Sequence, residues 1–336
     1  MALENSIAAL AAVKSAIKAQ IAAKAGIDPG DHFADYADMI KSYWPAAIGV
    51  WGDAQMITTA SVGNLTRFFY LKQSDANGVE VNWGDGSDPE TFDTVGAAFR
   101  VEHAYQTSGK YVITVTVLSG TASFEYISGS SLYETMFSEI RVGEKMDIGA
   151  LAFYGMYSLQ KATVTSLNVG EYAFSGCNNA MIGYTPSDFG GGARADVAQY
   201  AFAGTLLSYY SCQEKDLPAH VFDGCPLLKY LDFEYRSSYA AVVPSDLETI
   251  GQCAFQACTR LSSVNLPDTL TVIGNYAFKD CASLKAIIVR ATTPPTLGTD
   301  ALPTGIEHIY VPAASVATYQ AATGWSQYAS IISAIS

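Results

Sequence analysis

The side chains able to do chemistry are few and scattered. Four histidines, His32, His103, His220 and His308, fall in four separate stretches with no shared motif, whereas catalysis needs groups that converge. No nucleophile elbow and no HExxH helix is present. The glycine run Gly190 to Gly192 continues into Ala193 and Arg194 instead of the lysine and hydroxyl residue that hold a phosphate, and so reads as a plain loop. The carboxylate pairs Asp85 with Asp88 and Asp232 with Glu234 lack the apolar surroundings that raise one carboxyl for acid and base work. Asp85 and Asp88 offer oxygen ligands to calcium, although two carboxylates in a hairpin are more often turn formers. The chain holds six cysteines, with Cys253 and Cys258 close together. Four of them, Cys177, Cys225, Cys258 and Cys281, share one repeat position that Met156 and Thr205 fill elsewhere. That is the behaviour of a small buried hydrophobe and not of a ligand set or a disulfide framework. No catalytic residue, cofactor or metal is expected.

The composition narrows the partners. Against 19 basic residues stand 32 acidic ones, a net charge of -13, so the surface repels phosphate backbones and nucleic acid is not expected to bind. No run of 18 apolar residues occurs, which argues against membrane insertion. Glu4 stands where a secretory leader needs basic and then apolar residues, and the first cysteine is Cys177, so neither a leader nor a lipid anchor is expected. With 21 tyrosines and 15 phenylalanines but only 15% charged residues, the chain reads as rich in β structure with rings suited to half-exposed faces.

These scattered groups sit on a repeat. An aromatic motif recurs as LAFYGM, YAFSGC, YAFAGT, HVFDGC, CAFQAC and YAFKDC, with phenylalanines at Phe153, Phe174, Phe202, Phe222, Phe255 and Phe278. Their spacings of 21, 28, 20, 33 and 23 residues give a repeat near 23 with insertions. Leu159, Leu228, Leu261 and Leu284 follow six residues after the phenylalanine, a period of three that predicts an inward-packing helical turn. Each unit then enters a short strand, clearest at Leu261 to Pro267 and Leu284 to Val289, giving one strand and one helix per coil. A unit this small buries its apolar side only by stacking on its neighbours. The pattern resembles the BspA-type leucine-rich repeats of bacterial surface proteins and phage-encoded proteins, from about Ser119 to Ser336. The closing segment resembles the usual end of such arrays, with a strand at Ile309 to Val311 and Pro312 opening a final helix. Tyr209 and Tyr210, together with Tyr235, Arg236 and Tyr239, form the candidate ligand surface, because Tyr and Arg are common interface anchors.

Upstream, VEVNWGD (Val79 to Asp85) and VEHAYQTSGKYVITVTV (Val101 to Val117) alternate as strands, with Tyr111, Ile113, Val115 and Val117 on one face. Together with Val62 to Lys72 they predict a small antiparallel sandwich. Trp83, Asp85, Gly86, His103, Tyr105, Gly109 and Tyr111 resemble the pattern of the immunoglobulin-like PKD family, which implies spacing or carbohydrate and protein contact.

At the N-terminus, Leu3, Ile7, Leu10, Ile17 and Ile21 lie on a heptad seam that Lys14 and Lys24 interrupt. A helix so patterned assembles with copies of itself, three strands being slightly favoured, or docks on a partner. The segment also resembles N-terminal regions of phage tail and fibre proteins.

The expected fold is therefore multidomain. A helical, coiled-coil-like anchor spans residues 1–45, a PKD-like β-sandwich 46–118, an irregular α/β leucine-rich-repeat solenoid 119–290 and its cap 291–336. The expected function is that of a non-enzymatic virion protein, a head fibre, tail fibre or decoration protein. In that reading a homotrimeric helix joins other virion structural proteins, and the repeats meet a glycan or protein of a host or mucosal surface. The alternative is a bacterial cell-surface adhesin, and a third reading is an internal assembly protein.

Overall fold

A computed structural model of the chain describes residues 53–335 apart from 127–135, 167, 185–195, 208, 211–214, 233–235, 239–240 and 244–246. The expected N-terminal anchor, with Leu3, Ile7, Leu10, Ile17 and Ile21, lies outside the described residues.

The first strands are β1 (Ala54–Ala60), β2 (Thr66–Gln73), β3 (Val79–Asn82), β4 (Glu90–Thr91), β5 (Phe99–Ala104), β6 (Gly109–Val117) and β7 (Ala122–Glu125). They form antiparallel pairs in two layers, β4-β3-β6-β1 and β5-β2-β7. Alternation sets the faces of β6: Ile113, Val115 and Val117 are buried while Val112 is exposed. Phe69 forms the centre of the core, with the rings of Trp83, Phe124 and Phe137 at 5.7, 5.9 and 6.4 Å. Arg67 is buried, and its guanidinium donates to the Thr58 hydroxyl at 2.6 Å and to the backbone carbonyls of Thr59, Asn64 and Thr66. Burial lowers its pKa, and these donations tie together the turn from β1 to β2.

The chain then coils. A longer strand alternates with a shorter one: β8 (Phe137–Val142), β9 (Met146–Ile148), β10 (Lys161–Val164), β11 (Asn168–Val169), β12 (Met181–Tyr184), β13 (Asp196–Val197), β14 (Tyr209–Tyr210), β15 (Asp216–Leu217) and β16 (Tyr230–Asp232). A separate pair, β17 (Arg236–Ser238) and β18 (Ala241–Val243), precedes β19 (Thr249–Ile250), β20 (Ser263–Leu266), β21 (Val272–Ile273), β22 (Ala286–Val289), β23 (Thr296–Leu297) and β24 (His308–Val311). Within a layer the coils pair in parallel. β8 pairs antiparallel with β1, and β7 pairs antiparallel with β2 and parallel with β9. Both N-terminal layers therefore run on into the coils, as β14-β12-β10-β8-β1-β6-β3-β4 and β13-β11-β9-β7-β2-β5. β7, which follows residue 118, completes a layer of the N-terminal strands.

The α/β coil expected from the period of three is corrected here: each coil has two strands and a turn, with no helix in the coils among the described residues. The physical reason lies in the backbone. Position one of each motif is left-handed (Leu151 60°, Tyr172 55°, Tyr200 58°, His220 57°, Cys253 54°, Tyr276 59°), and so is position five (Gly155, Gly176, Gly204, Gly224, Ala257, Asp280). A right-handed helix cannot pass through either position. The N–H groups at positions one, three and five instead donate to the next coil, as Leu151 to Glu171, Phe153 to Ala173 and Gly155 to Ser175 at 2.8 to 2.9 Å. Those of the intervening residues bond three residues back. The buried backbone is thus satisfied without a helix.

Position three carries the phenylalanines. Phe153, Phe174, Phe202, Phe222, Phe255 and Phe278 are fully buried and stack at 5.1, 5.7, 5.9, 5.5 and 5.2 Å. Phe124 lies 5.2 Å from Phe153, which joins this column to the core around Phe69.

The described chain ends in a strand, a short helical segment and a further strand. After β24, Pro312 precedes a short 3-10 turn, helix α1 (Val316–Ala321) follows, and β25 (Ile332–Ala334) pairs parallel with β24. Buried Tyr319 and Trp325 donate to the carbonyls of Ala291 and Pro295, each at 2.7 Å. The end of the core is thereby closed.

Candidate functional site

Among the N-terminal strands, the residues of the WGD turn and of β5 and β6 converge. Asp85 Oδ1 accepts from the Ser87 backbone N–H at 3.1 Å and from the Ser87 hydroxyl at 2.6 Å, and its Oδ2 lies 2.8 Å from His103 Nε2. The serine hydroxyl therefore bonds to the carboxylate and not to the imidazole, so it is not set up as an activated nucleophile. The Ser87 hydroxyl bond is the largest influence on the Asp85 carboxyl and, with the Ser87 backbone and His103 contributions, outweighs the opposing effect of burial to lower its pKa to about 2. His103 stacks on Trp83 at 4.9 Å, Trp83 donates to Glu90 at 3.1 Å, and the Tyr105 hydroxyl donates to the Trp83 carbonyl at 2.9 Å. Tyr105 in turn stacks on Tyr111 at 3.8 Å. The Asp85 oxygens are taken by donors of this network, which pins the turn to β5.

The cysteine column has a second use that spacing did not show. Cys177, Cys225, Cys258 and Cys281 donate from Sγ to the carbonyls of Phe153, Phe202, Phe222 and Phe255 in the preceding coil at 3.0 to 3.2 Å. Burial pushes the thiols of Cys177, Cys225 and Cys281 up to about 12, and that of Cys258 well above its ordinary value. Such thiols are protonated at neutral pH and serve as coil-to-coil donors.

Position one brings polar aromatic rings to the turn edge. Tyr172, Tyr200 and His220 stack in parallel at 4.5 and 4.3 Å, each half-buried, and the exposed ring of Tyr154 meets Tyr172 edge-on at 6.4 Å. Polar groups flank this row: Gln199 donates to Glu171 at 2.7 Å, and His220 Nδ1 lies 2.9 Å from Asp223. Burial, followed by Tyr172 and Asp223, raises the Tyr200 pKa. The row follows from the repeat, since its members stand two residues before Phe174, Phe202 and Phe222. It presents ring edges, hydroxyls and carboxylates, a chemistry suited to neutral or cationic polar partners.

Of the candidate ligand residues, Tyr209 and Tyr210 form β14 and Arg236 begins β17. Tyr235 and Tyr239 lie outside the described residues.

Residues 112–181 and 231–317 match the BspA type leucine rich repeat region in six copies. These two stretches are thus similar to leucine-rich repeats of the BspA type. Among solved structures, the chain is similar to a T. pallidum leucine-rich repeat protein at 19% identity, over 62% of this chain and 86% of that one, with a TM-score of 0.31. It is similar also to a leucine-rich repeat protein from Bacteroides ovatus at 19% identity (56% and 54% covered, TM-score 0.28). A third similar structure is a leucine rich cell surface protein from Faecalibacterium prausnitzii at 14% identity (58% and 76% covered, TM-score 0.24). No curated protein matches the chain.

Proposed function

We propose that this chain is a non-enzymatic recognition protein of a bacterial cell surface, whose solenoid binds a glycan or protein of a host or mucosal surface. The observation that carries the reading is the match of the coils to BspA-type repeats. Repeats of that type belong to surface proteins, and the polar aromatic row at Tyr172, Tyr200 and His220 supplies a candidate contact edge. The N-terminal strands, with their PKD-like turn, act as a rigid spacer. The surface protein stands ahead of the virion protein because the repeat match supports it, whereas the N-terminal heptad on which the virion reading partly rests lies outside the described residues.

Protease shaving of intact cells of the encoding strain is expected to release peptides from 137–335. Their absence from the shaved fraction, with the chain recovered instead in density-purified phage particles, rejects the surface reading. Binding of the purified chain to immobilised mucin is expected to fall when Tyr172 and Tyr200 are both changed to Asn, a residue that tolerates the left-handed backbone there. Unchanged binding removes the row and directs attention to Tyr209, Tyr210 and Arg236.

A further inference from the structure

We infer that the solenoid contains a hinge between the coil of Phe202 and the coil of Phe222, set by Pro218. It stands independently of what the surface binds. The residue after each short strand donates its N–H to the preceding turn of chain: Gly149 to Phe124, Gly170 to Ile148, Ala198 to Val169, Gly251 to Leu217, Gly274 to Ile250 and Gly298 to Ile273, all at 2.7 to 2.8 Å. Pro218 occupies this position after β15 and has no N–H to give to the coil of β13.

Crowding acts in the same direction. A Cβ at Gly170 would lie 2.5 Å from Ala150 N, one at Gly274 2.7 Å from Gln252 N, and one at Gly298 2.5 Å from Asn275 N. Coils approach closely at this column, and Pro218 puts a ring there. Ala198 also carries a Cβ, yet β13 still pairs with β11, so the missing donor is the larger cause.

The sheets are interrupted at the same junction. Among the described residues, β13 does not pair with β15 and β14 does not pair with β16; the sheets restart as β15-β19-β21-β23 and β16-β20-β22-β24-β25. What crosses the junction lies on the turn edge. Tyr200 donates to Ala219 at 3.3 Å, Phe202 to Val221 at 3.1 Å and Gly204 to Asp223 at 2.7 Å. Cys225 Sγ reaches the Phe202 carbonyl at 3.2 Å, and Tyr200 stacks on His220 at 4.3 Å. The phenylalanine step here, 5.9 Å, is the longest in the column. Among the described residues the two blocks are joined by bonds on the turn edge and by none between the strands, so they part at this junction by loosening the turn-edge bonds without breaking a strand ladder.

Amide hydrogen exchange on the full chain tests this. The amides of Tyr200, Phe202 and Gly204 are expected to exchange roughly tenfold or more faster than those of Tyr172, Phe174 and Gly176 before them and His220, Phe222 and Gly224 after them. Pro218→Ala restores the donor and Pro218→Gly restores both donor and space, and slowing of the three amides in either variant supports the hinge. Equal protection at the three junctions of the native chain, or no slowing in either folded variant, overturns it. If the variants do not fold, the ratio in the native chain decides.

Discussion

Phe255 lies between Phe222 and Phe278 with centroids at 5.5 and 5.2 Å and no exposed surface. Coils above and below hold its neighbours in place, so the space it leaves cannot collapse fully. Phe255→Ala is expected to cost about 3 to 5 kcal/mol in denaturant unfolding; an unchanged midpoint would contradict a shared aromatic core. Asp85 makes a different kind of contribution. Its folded pKa is lowered to about 2, so the stability it adds is complete above the ordinary aspartate value near ~3.9 and is lost as pH falls through the folded value. Melting temperatures measured down the pH range should fall more steeply for the native chain than for Asp85→Asn in that acid window. Parallel curves would show that Asp85 holds the turn no better when charged.

For the coil as an element, the glycine that follows most short strands matters through its missing side chain, not its dihedral freedom. At Gly274 a Cβ would meet Gln252 N and Gly251 C at 2.7 Å, whereas at Gly183 nothing lies within 4 Å. Gly274→Ala is therefore expected to cost about 1 to 3 kcal/mol from overpacking, and Gly183→Ala close to nothing. Equal losses at the two sites in a thermal unfolding series would rule out close approach as the reason. The turn was only partly legible. Phe, Cys and Leu at intervals of three read as a helix, because that spacing selects one side of any tight turn. The left-handed backbone at Tyr172, Tyr200 and Tyr276 has no signature in residue type, since tyrosine is disfavoured there and is kept by the bonds from neighbouring coils.

Across the whole molecule, the N-terminal strands and the coils share two sheets and one aromatic column. Removing residues before 119 would strip β1 from β8 and β2 from β7, and uncover Phe124 and Phe153. A chain of residues 119–336 is accordingly expected to aggregate, while 53–336 stays soluble and melts in one cooperative transition by calorimetry. A soluble, cooperatively folded 119–336 would show that the coils need no such cover.

From residue types and spacing alone came the repeat, its phenylalanine and cysteine columns, the strand alternation of β6 and the closing strand at Ile309. Each of these is a local or periodic preference, and burial on one side writes such preferences directly into the sequence. Only the tertiary structure decided that the turns are left-handed and cross-bonded, that the cysteines donate to the coil before them, and that both N-terminal layers continue into the coils. It alone showed that Tyr172, Tyr200 and His220 form one row and that the ladder stops at Pro218. Those features depend on which carbonyl lies opposite which donor in the next coil, a relation between residues some 20 to 30 positions apart that no single stretch of sequence carries.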